Sequence, residues 1–451
     1  MKNILVLGAG QSAPYLIRYL LKEAEQHDWF VTVADLDEAQ ARERVADHPR
    51  GSTVQLDITD AALRSSLISQ SDIVVYLLAP PFQHLVALDC VYHAKPMISA
   101  SYRDHQIREL DRDAHRQGIL ILNEMGLDPG IDHMSAMRLI QKLKAQNAKI
   151  VAFKSYGGGL PAPEAATNPL RYCVTWNPRN IVRAGENGAQ YMENGFIKIL
   201  PYHNVFQRSW MVDVEGIGTL EAFPNRDSLN YQRVYGLDEN LVTMIRGSLR
   251  YPGWSETWYY IVQLGLTNET LIIPDLPERT YREFVEMFLP IHLSGTRLEQ
   301  RVANFLHISP TGKVMDIFRW LGLFSKQKIG APVRTAAQVM IHLLVEKLKL
   351  PPGGRDMVVV KHEVDAYFPD QPDRKKRINS TLLDFGEPDG MTAIAKTVGL
   401  PAAVAAKLIL LNKIPLTGSH LPTHPAIYQP VLNELEKLGL RFQEKIEDLE
   451  E

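Results

Sequence analysis

The sequence lacks the features that mark disulfide-bonded and nucleic-acid-binding proteins. Among its 451 residues there are two cysteines, Cys90 and Cys173, and neither lies in a C-x-x-C pair. A disulfide framework and a structural metal site are therefore not expected, and a reducing cytoplasm fits best. The formal net charge is −3, so we expect no basic surface that would neutralise nucleic-acid phosphates.

Long apolar runs are also scarce. The best candidate, 402–411 (AAVAAKLILL), is interrupted by Lys407 and is shorter than the ~18 residues that a membrane helix needs. The N-terminal apolar run ends at Leu7 in Gly-Ala-Gly, without the longer apolar region of a signal peptide. We therefore expect a soluble, cytoplasmic protein without a membrane partner.

The first third of the chain alternates short apolar strands with helical patterns. Examples of the strands are 3–9, 30–35, 72–79 and 119–125. Such alternation is typical of parallel strands joined by crossover helices, and it predicts an α/β fold with a doubly wound parallel sheet. After residue 150, short strands such as 171–176 and 196–200 predict a mixed or antiparallel sheet, and 237–348 is mostly helical in pattern.

A glycine-rich loop follows the first predicted strand directly. Residues 8–13 (GAGQSA) match G-x-G-x-x-A, a variant of the dinucleotide-binding fingerprint. Gly8 makes the tight turn, Gly10 lets the backbone approach a pyrophosphate, and Ala13 permits close helix packing. The following helix N-terminus offers N–H groups to phosphates.

An acidic residue ends the second predicted strand. Asp35 lies 22 residues after Ala13, where a carboxylate can bind the hydroxyls of the adenosine ribose. No arginine follows it immediately, and a 2′-phosphate would be repelled by the carboxylate. The sequence therefore predicts NAD(H) rather than NADP(H).

Four ionisable residues surround a Leu-Asp-Pro-Gly turn in 123–136 (NEMGLDPGIDHMSA). The turn follows the sixth predicted strand, at the sheet edge where ligands bind in such folds. Asp132 is expected to cap or complement the following helix. His133 fits a packing residue better than a proton shuttle, and Glu124 is equally compatible with a base and with a salt bridge. Asp128 could act at a substrate nitrogen or cap the turn.

This stretch resembles the NEIGLDPGIDHMYA-type signature of the glutamate-forming saccharopine dehydrogenase family, also called saccharopine reductases. The resemblance continues in the same order through most of the chain, in residues 99–104 (SASYRD), 155–180, 225–231 (NRDSLNY), 248–254 (SLRYPGW), 391–410 and 426–444. Several long motifs in one order are much more specific than the glycine fingerprint.

The resemblance implies three domains and a homodimer. A Rossmann-like dinucleotide-binding domain would span 1–127 and be completed by C-terminal helices in 391–451. An α/β substrate domain would comprise 128–236 and 351–390, and a mainly helical third domain 237–350. It also implies an oxidoreductase that acts on a CH–NH donor in lysine metabolism and interconverts saccharopine with L-glutamate and 2-aminoadipate 6-semialdehyde.

The site residues that the resemblance implies fall into three groups. Asp128 and Tyr102 match catalytic positions. Substrate-binding positions are matched by Ser101, Tyr102, Arg226, Ser248, Leu249 and Arg250. Positions near the cofactor are matched by Gly8, Gly10, Gln11, Ser12, Ala13, Asp35, Leu78, Ala100, Asp128 and Pro129. Arginine's planar fork suits the carboxylates of an amino-acid substrate.

Two departures from the family pattern leave the substrate less certain than the chemistry. Gly157 replaces a frequent cysteine, and Ala79-Pro80-Pro81 replaces the usual Pro-Tyr after the fourth strand. Two alternatives therefore stay open. A carboxynorspermidine- or homospermidine-type reductase would need acidic residues for a diamine, and a non-catalytic dinucleotide sensor would not need the arginine and Ser-Tyr motifs.

Overall fold

The structure is a computed structural model, and it describes residues 1–184 and 188–449. The strands are β1 (Lys2–Leu7), β2 (Trp29–Asp35), β3 (Gly51–Gln55), β4 (Ile73–Tyr76), β5 (Met97–Ser99), β6 (Leu120–Leu122), β7 (Lys149–Pro161), β8 (Ala189–Glu193), β9 (Phe196–Leu200), β10 (Trp210–Val214), β11 (Gly218–Pro224), β12 (Arg226–Asp227), β13 (Thr243–Arg250), β14 (Asp356–Phe368), β15 (Gln371–Phe385), β16 (Gly418–His420) and β17 (Gln443–Asp448).

The α-helices are α1 (Pro14–His27), α2 (Glu38–Val45), α3 (Ala61–Ser69), α4 (Gln83–Tyr92), α5 (His105–Glu109), α6 (Asp111–Gln117), α7 (Ile131–Ala145), α8 (Pro178–Val182), α9 (Asn230–Val234), α10 (Trp254–Gln263), α11 (Tyr281–Glu286), α12 (Leu298–Leu306), α13 (Lys313–Leu321), α14 (Ala336–Lys347), α15 (Ala393–Leu410) and α16 (Pro425–Lys437).

The chain folds into two compact units. Unit 1 comprises Met1–Lys149, Val234–Gly236 and the chain from Ala366 onward, and unit 2 comprises Ile150–Arg233 and Leu237–Asp365. Helices α10 to α14 belong to the same unit as strands β7 to β13. The predicted division into three domains is therefore finer than the two units, and it stays a prediction.

Unit 1 is built on a seven-stranded sheet with the order β16-β6-β5-β4-β1-β2-β3, in which all pairs are parallel. The predicted doubly wound, Rossmann-like sheet is thereby confirmed. All four residues of β4 are buried, as expected for a strand covered by helices on both faces. The sequence did not reveal the seventh strand, β16, whose three residues pair with β6.

Helix α15 corrects the prediction about apolar runs. Thr392 caps it by accepting the Ala395 N–H, and the helix spans 18 residues, so it is longer than the apolar run 402–411 that it contains. By length and mean hydropathy, 1.6, it could cross a membrane, but 78% of it is buried within the protein. It packs against α1 so closely that a side chain at Gly399 would lie 3.1 Å from Leu16. One mostly buried apolar helix is weak support for a membrane span.

Unit 2 contains the strand order β10-β11-β13-β7-β14, with β13 parallel to β7 and antiparallel to β11. The predicted mixed sheet is confirmed, and 196–200 forms β9. The segment 171–176 forms no strand, however. The Asn168 side chain bonds both the N–H and the carbonyl of Tyr172, so these groups are not available to a β-ladder.

Candidate functional site

The glycine fingerprint lies at the carboxyl edge of the unit 1 sheet, immediately after β1. Gly8 has φ +110°, and a Cβ there would lie 3.1 Å from the Leu77 main chain, so the turn requires glycine. A Cβ at Gly10 would meet nothing within 4 Å. The backbone at Gly10 therefore faces open space, which is what the approach of a dinucleotide pyrophosphate requires.

Asp35 ends β2 and is half-buried beside this loop. Its Oδ2 accepts the Ala9 N–H at 2.7 Å, and its Oδ1 accepts the Asp37 N–H at 3.0 Å. Both carboxylate oxygens thus hold the protein's own backbone. The carboxylate fixes the middle of the fingerprint loop, a role that strand position alone could not reveal.

The other predicted cofactor positions follow neighbouring strands at the same edge. Leu78 comes two residues after β4, Ala100 directly after β5, and the Asp128–Pro129 pair in the turn after β6. Gln11 is exposed and Ser12 half-buried, both ahead of α1. Because β6, β5, β4, β1 and β2 are adjacent and parallel, these positions form one row.

The turn after β6 is fixed by backbone hydrogen bonds. The Gly126 N–H donates to the Pro129 carbonyl at 3.0 Å, and the Ile131 N–H donates to the Gly126 carbonyl at 2.9 Å. The Asp128–Pro129 peptide is cis, and Gly130 has φ +149°. A Cβ at Gly130 would lie 2.0 Å from the Gly126 carbonyl oxygen, so only glycine fits.

The ionisable residues of the turn form a buried polar cluster, which consists of Glu124, Asp132, His133 and Tyr235. His133 Nε2 lies 2.9 Å from Glu124 Oε2, an ion-pair distance without hydrogen-bond alignment. His133 Nδ1 lies 2.6 Å from the Tyr235 hydroxyl and 3.5 Å from Asp132 Oδ2. Asp132 accepts the Gly130 N–H at 2.6 Å, so it does complement the helix start. Sequence patterns did not indicate Tyr235, which lies 102 residues further along the chain.

The predicted Ser101-Tyr102 pair lies in the irregular segment 101–103, after β5. The Glu124 N–H donates to the Ser101 carbonyl at 3.1 Å, and the Arg103 N–H donates to Glu124 Oε1 at 3.1 Å. Within unit 1, the structure thus joins the Ser-Tyr pair to the Glu124 turn. These residues are separated by about 20 positions in sequence, and strand order brings them together.

In unit 2, Arg250 is buried in an aromatic cage formed by Tyr172, Phe223 and Trp254. Its guanidinium carbon lies 4.8 Å from the centroid of the Tyr172 ring, 5.4 Å from Trp254 and 5.7 Å from Phe223. Cation–π contacts of this kind stabilise a desolvated guanidinium. The Tyr172 and Trp254 rings are themselves in contact, with centroids 4.6 Å apart.

The buried charge of Arg250 is incompletely satisfied. It donates to the Leu249 carbonyl at 2.7 Å, but its Nε has no hydrogen-bond partner in the described part of the chain. No carboxylate pairs with it among residues 1–184 and 188–449. Burial raises the pKa of the Tyr172 phenol, and the charge of Arg250 opposes that shift. A buried, unpaired guanidinium is suited to a carboxylate ligand.

The cage is held by a second buried charge. Glu221 on β11 lies opposite Arg250 in the β-ladder but forms no ion pair with it, because the Glu221 carboxylate accepts the Gly253 and Ser255 N–H groups at 2.7 and 2.9 Å. These contacts cap the start of α10, whose first residue is Trp254. The wall of the cage is thereby fixed before any ligand binds.

The remaining predicted substrate residues are distributed along β13 and β11. Ser248 is half-buried opposite Phe223, and Leu249 is fully buried. Arg226 is exposed, with φ +53°, five residues beyond the partner of Arg250 on the antiparallel strand. At ~3.4 Å per residue the two arginines are about 17 Å apart along the strands. Arg226 therefore does not belong to the cage. Gly157 pairs with Ser248 across β7 and β13.

No cluster of His, Cys, Asp and Glu with metal-binding geometry occurs among the residues that the structure describes. A doubly wound sheet with a glycine fingerprint, together with a caged cation, defines the class of the protein: a dinucleotide-binding fold with a candidate site for an anionic ligand.

Comparison with known proteins identifies the family. Residues 4–122 match the saccharopine dehydrogenase NADP binding domain, and residues 126–440 match the saccharopine dehydrogenase C-terminal domain. The L-glutamate-forming saccharopine dehydrogenase of Schizosaccharomyces pombe, named for NADP(+), is 30% identical, with 100% of both chains covered. The chain belongs to the saccharopine dehydrogenase family.

A solved structure and a longer relative agree with this placement. The apo saccharopine dehydrogenase (L-Glu forming) of Saccharomyces cerevisiae has a TM-score of 0.87 at 30% identity, with 99% of this chain and 100% of that chain covered. The alpha-aminoadipic semialdehyde synthase of Arabidopsis thaliana is 34% identical over 94% of this chain, which spans only 41% of that protein's length.

The predicted preference for NAD(H) is wrong. The matched N-terminal domain is an NADP binding domain, and the full-length relative from S. pombe carries NADP(+) in its name. The prediction assumed that the Asp35 carboxylate meets the adenosine ribose. In the structure both of its oxygens accept backbone N–H groups, so the carboxylate also holds the fingerprint loop, a role that the prediction did not include.

Proposed function

We propose that the protein is an L-glutamate-forming saccharopine dehydrogenase, which converts saccharopine and water into L-glutamate and 2-aminoadipate 6-semialdehyde, and the reverse. The observation that carries the proposal is the caged guanidinium of Arg250, whose Nε lacks a partner among the described residues. A substrate carboxylate supplies the missing acceptor. The charge-assisted hydrogen bond contributes about 1.5–3 kcal/mol.

The fold supports a dinucleotide cofactor, and the similarity to NADP-named relatives supports NADP(H). Open space at Gly10, the tight turn at Gly8 and the free start of α1 fit a pyrophosphate. A bound nicotinamide would supply the hydride acceptor for a carbon of the saccharopine C–N bond. Water then adds to the imine carbon and the C–N bond breaks, so each turnover consumes one water and releases one proton.

Proton movement at the substrate nitrogen is assigned to Tyr102 and Asp128. Both are half-buried at the carboxyl edge of the unit 1 sheet, after β5 and after β6. A hydroxyl and a carboxylate are suitable groups for holding a proton near a nitrogen whose charge changes during the reaction. Ser101 and Ser248 supply neutral hydroxyls for substrate polar groups, and Leu249 lends its carbonyl to Arg250.

The reaction is tested with purified protein, saccharopine, and NADP⁺ or NAD⁺ in parallel. We expect reduced cofactor to form at 340 nm, with glutamate released in equal amount, and faster turnover with NADP⁺. Absence of turnover with either cofactor, when NADPH binding is demonstrated by fluorescence, would reject the assignment of the substrate.

A homospermidine- or carboxynorspermidine-type reductase is the second candidate. Its diamine substrate carries positive charges, and a caged arginine would repel them. An assay with NADPH or NADH separates the two, with putrescine or diaminopropane and an aldehyde partner in one arm and glutamate and the semialdehyde in the other. Oxidation of cofactor with a diamine, but not with glutamate and the semialdehyde, would favour this alternative.

We infer that the protein is a homodimer and that β9 contributes to the contact. Strand β9 pairs with β8 alone among the described strands, and it exposes the apolar side chains of Phe196, Ile197 and Ile199. An unpaired apolar edge is a ready site for a second copy of the chain. Light scattering should give a dimer mass for the wild type and a monomer mass for Ile199→Lys. A dimer in both would remove β9 from the interface.

A reducing compartment, the cytoplasm, fits the two buried free thiols, Cys90 and Cys173. Burial raises the pKa of both thiols, which keeps them protonated and unreactive. Cell fractionation followed by immunoblotting checks the compartment.

The partners that we propose are small amino-acid substrates, without nucleic acid or membrane.

A further inference from the structure

Segment 101–103, which carries Tyr102, belongs to neither a strand nor a helix, so its backbone has no regular partners. Buried backbone polar groups nevertheless need hydrogen bonds. In this segment they come from side chains and from a neighbouring turn. The Ser101 N–H donates to Ser99 Oγ at 3.1 Å, and the Ser101 carbonyl accepts the Glu124 N–H.

Two buried side chains complete the set. The Gln83 Nε2 amide donates to the Tyr102 carbonyl at 3.1 Å, and Glu124 Oε1 accepts the Arg103 N–H at 3.1 Å. Gln83 is fully buried at the start of α4, and Glu124 is 4% exposed. The groups before and after the Tyr102 side chain are therefore clamped from two different elements.

Gln83 is itself held on its acceptor side. Its Oε1 accepts the Asn123 Nδ2 amide at 3.1 Å and also the Ser99 hydroxyl. The amide orientation is thus fixed by donors, which leaves its NH₂ directed to the Tyr102 carbonyl. Asn123 directly precedes Glu124, so the hydrogen bonds that Gln83 and Glu124 make to segment 101–103 both depend on residues directly after β6.

Glu124 is held at a backbone angle that is costly for this residue type. Its φ is +61°, in the left-handed region, which costs about 1–2 kcal/mol for a residue other than glycine. This conformation directs one carboxylate oxygen to Arg103 and the other to His133 Nε2, 2.9 Å away. His133 is fully buried in the first turn of α7, directly after the Asp128 turn.

We propose that Glu124 and Gln83 are positioning residues for the reaction, which hold segment 101–103 so that Tyr102 keeps a fixed place relative to the Asp128 turn. His133 locks the Glu124 carboxylate. The expected effect on catalysis rests on the proposed function, whereas the claim that Glu124 and Gln83 hold segment 101–103 does not. Misplacement of a reacting group by about 1 Å can lower the rate about 100-fold, which makes such clamps effective.

The test compares Glu124→Ala with Glu124→Gln. Glu124→Ala removes the acceptor of the Arg103 N–H, and we expect kcat with saccharopine to fall at least about tenfold. The KM for NADP⁺ should change less than about twofold, because the fingerprint follows a different strand. Glu124→Gln keeps an acceptor oxygen and should recover most of the loss in kcat.

A matched control exists in the same unit. His105 and Glu109 also form a histidine–glutamate pair, at 3.4 Å, but their side chains are 80% and 67% exposed. Glu109→Ala should leave kcat and both KM values unchanged. Gln83→Glu offers an independent route, because it replaces the donor to the Tyr102 carbonyl at nearly constant size, and it should lower kcat as Glu124→Ala does.

Hydrogen exchange at the Arg103 amide provides a readout that does not need activity. We expect exchange at least about tenfold faster in Glu124→Ala, with protection restored in Glu124→Gln. Unchanged kcat in Glu124→Ala, or reduced kcat with unchanged exchange, would overturn the proposal. If the wild type does not oxidise saccharopine, the proposed function fails, and the exchange rates still decide whether Glu124 clamps the segment.

Discussion

The buried polar cluster of unit 1 and the aromatic cage of unit 2 treat buried charge in opposite ways. In the cluster, Glu124 contacts both Arg103 and His133, and His133 also meets Tyr235. In the cage, Arg250 meets three aromatic rings and one carbonyl, and its Nε has no partner among the described residues. The cluster therefore contains groups of opposite charge that pair with one another, whereas no anion among the described residues pairs with Arg250 in the cage.

This difference distinguishes groups that stabilise the fold from a group that is available to bind a ligand. A cluster whose charges are paired internally stabilises one backbone geometry, because removal of one group takes a partner away from its neighbours. An unpaired buried cation costs stability and is retained where binding compensates for it. Removal of a group should therefore lower stability in the cluster, where Glu124 also positions Tyr102, and should lower activity without loss of stability in the cage.

Gly130→Ala should have the largest effect, on the cluster side. The new Cβ would meet the Gly126 carbonyl oxygen at 2.0 Å and the backbone angle is unfavourable, so we expect the free energy of unfolding to fall by about 3 kcal/mol. Urea unfolding measures it. Gly118→Ala is the control, since Gly118 also has positive φ but open space around it, and should cost about 1 kcal/mol.

Arg250→Met should separate activity from stability. Loss of the charge-assisted bond to the substrate carboxylate should lower kcat/KM for saccharopine by about 10- to 150-fold. Stability should stay the same or rise, because a buried unpaired charge is removed. Arg179→Met is the control, as Arg179 is 56% exposed and pairs with Glu269. A large loss of stability without loss of kcat/KM would erase the distinction between the two regions.

Tyr235→Phe should show the reverse pattern on a smaller scale. It removes the hydroxyl that lies 2.6 Å from His133 Nδ1, and Asp132 Oδ2 at 3.5 Å remains beside that nitrogen. We expect a loss of about 1–2 kcal/mol in unfolding free energy. Denaturation monitored by tryptophan fluorescence checks it. Unchanged stability would mean that the contacts within the cluster do not stabilise the fold.

The smallest effect concerns pH and the strand next to the cluster. The backbone carbonyl of His420, on β16, accepts the Asn123 N–H. Burial of the His420 side chain lowers its pKa below the usual 6.5. The folded state therefore favours neutral His420, and its contribution to stability is present above pH 6.5 and is lost as the pH falls through the folded-state pKa. The urea midpoint should fall less between pH 7 and 5 in His420→Gln than in the wild type. Equal slopes in the two proteins would contradict this.

Much of the fold was predictable because its signals are local. The glycine fingerprint, the buried strands and the crossover helices repeat patterns that follow from backbone sterics and from burial on both faces of a parallel sheet. Strand β16 escaped prediction because three residues carry no periodicity. The segment 171–176 was predicted as a strand, but the Asn168 side chain takes its backbone groups.

The site was only partly predictable. Arg250 was identified from its motif. The cage around it includes Tyr172 and Phe223 from distant segments of the chain, and no sequence pattern predicts that they contact Arg250. Asp35 ends the second strand as predicted, but its hydrogen bonds to the Ala9 and Asp37 N–H groups were not foreseen, because no sequence pattern indicates which backbone groups lie beside a carboxylate. Gln83 and Tyr235 were missed for the same reason.

The sequence by itself determined the family, the doubly wound sheet and the residue types available for catalysis, because these depend on order and spacing along the chain. Only the tertiary structure decided which charges are satisfied internally and which are left for a ligand. That distinction depends on distances of about 3 Å between residues far apart in sequence, and hydrogen-bond energies vanish when such distances are missed by an ångström or two.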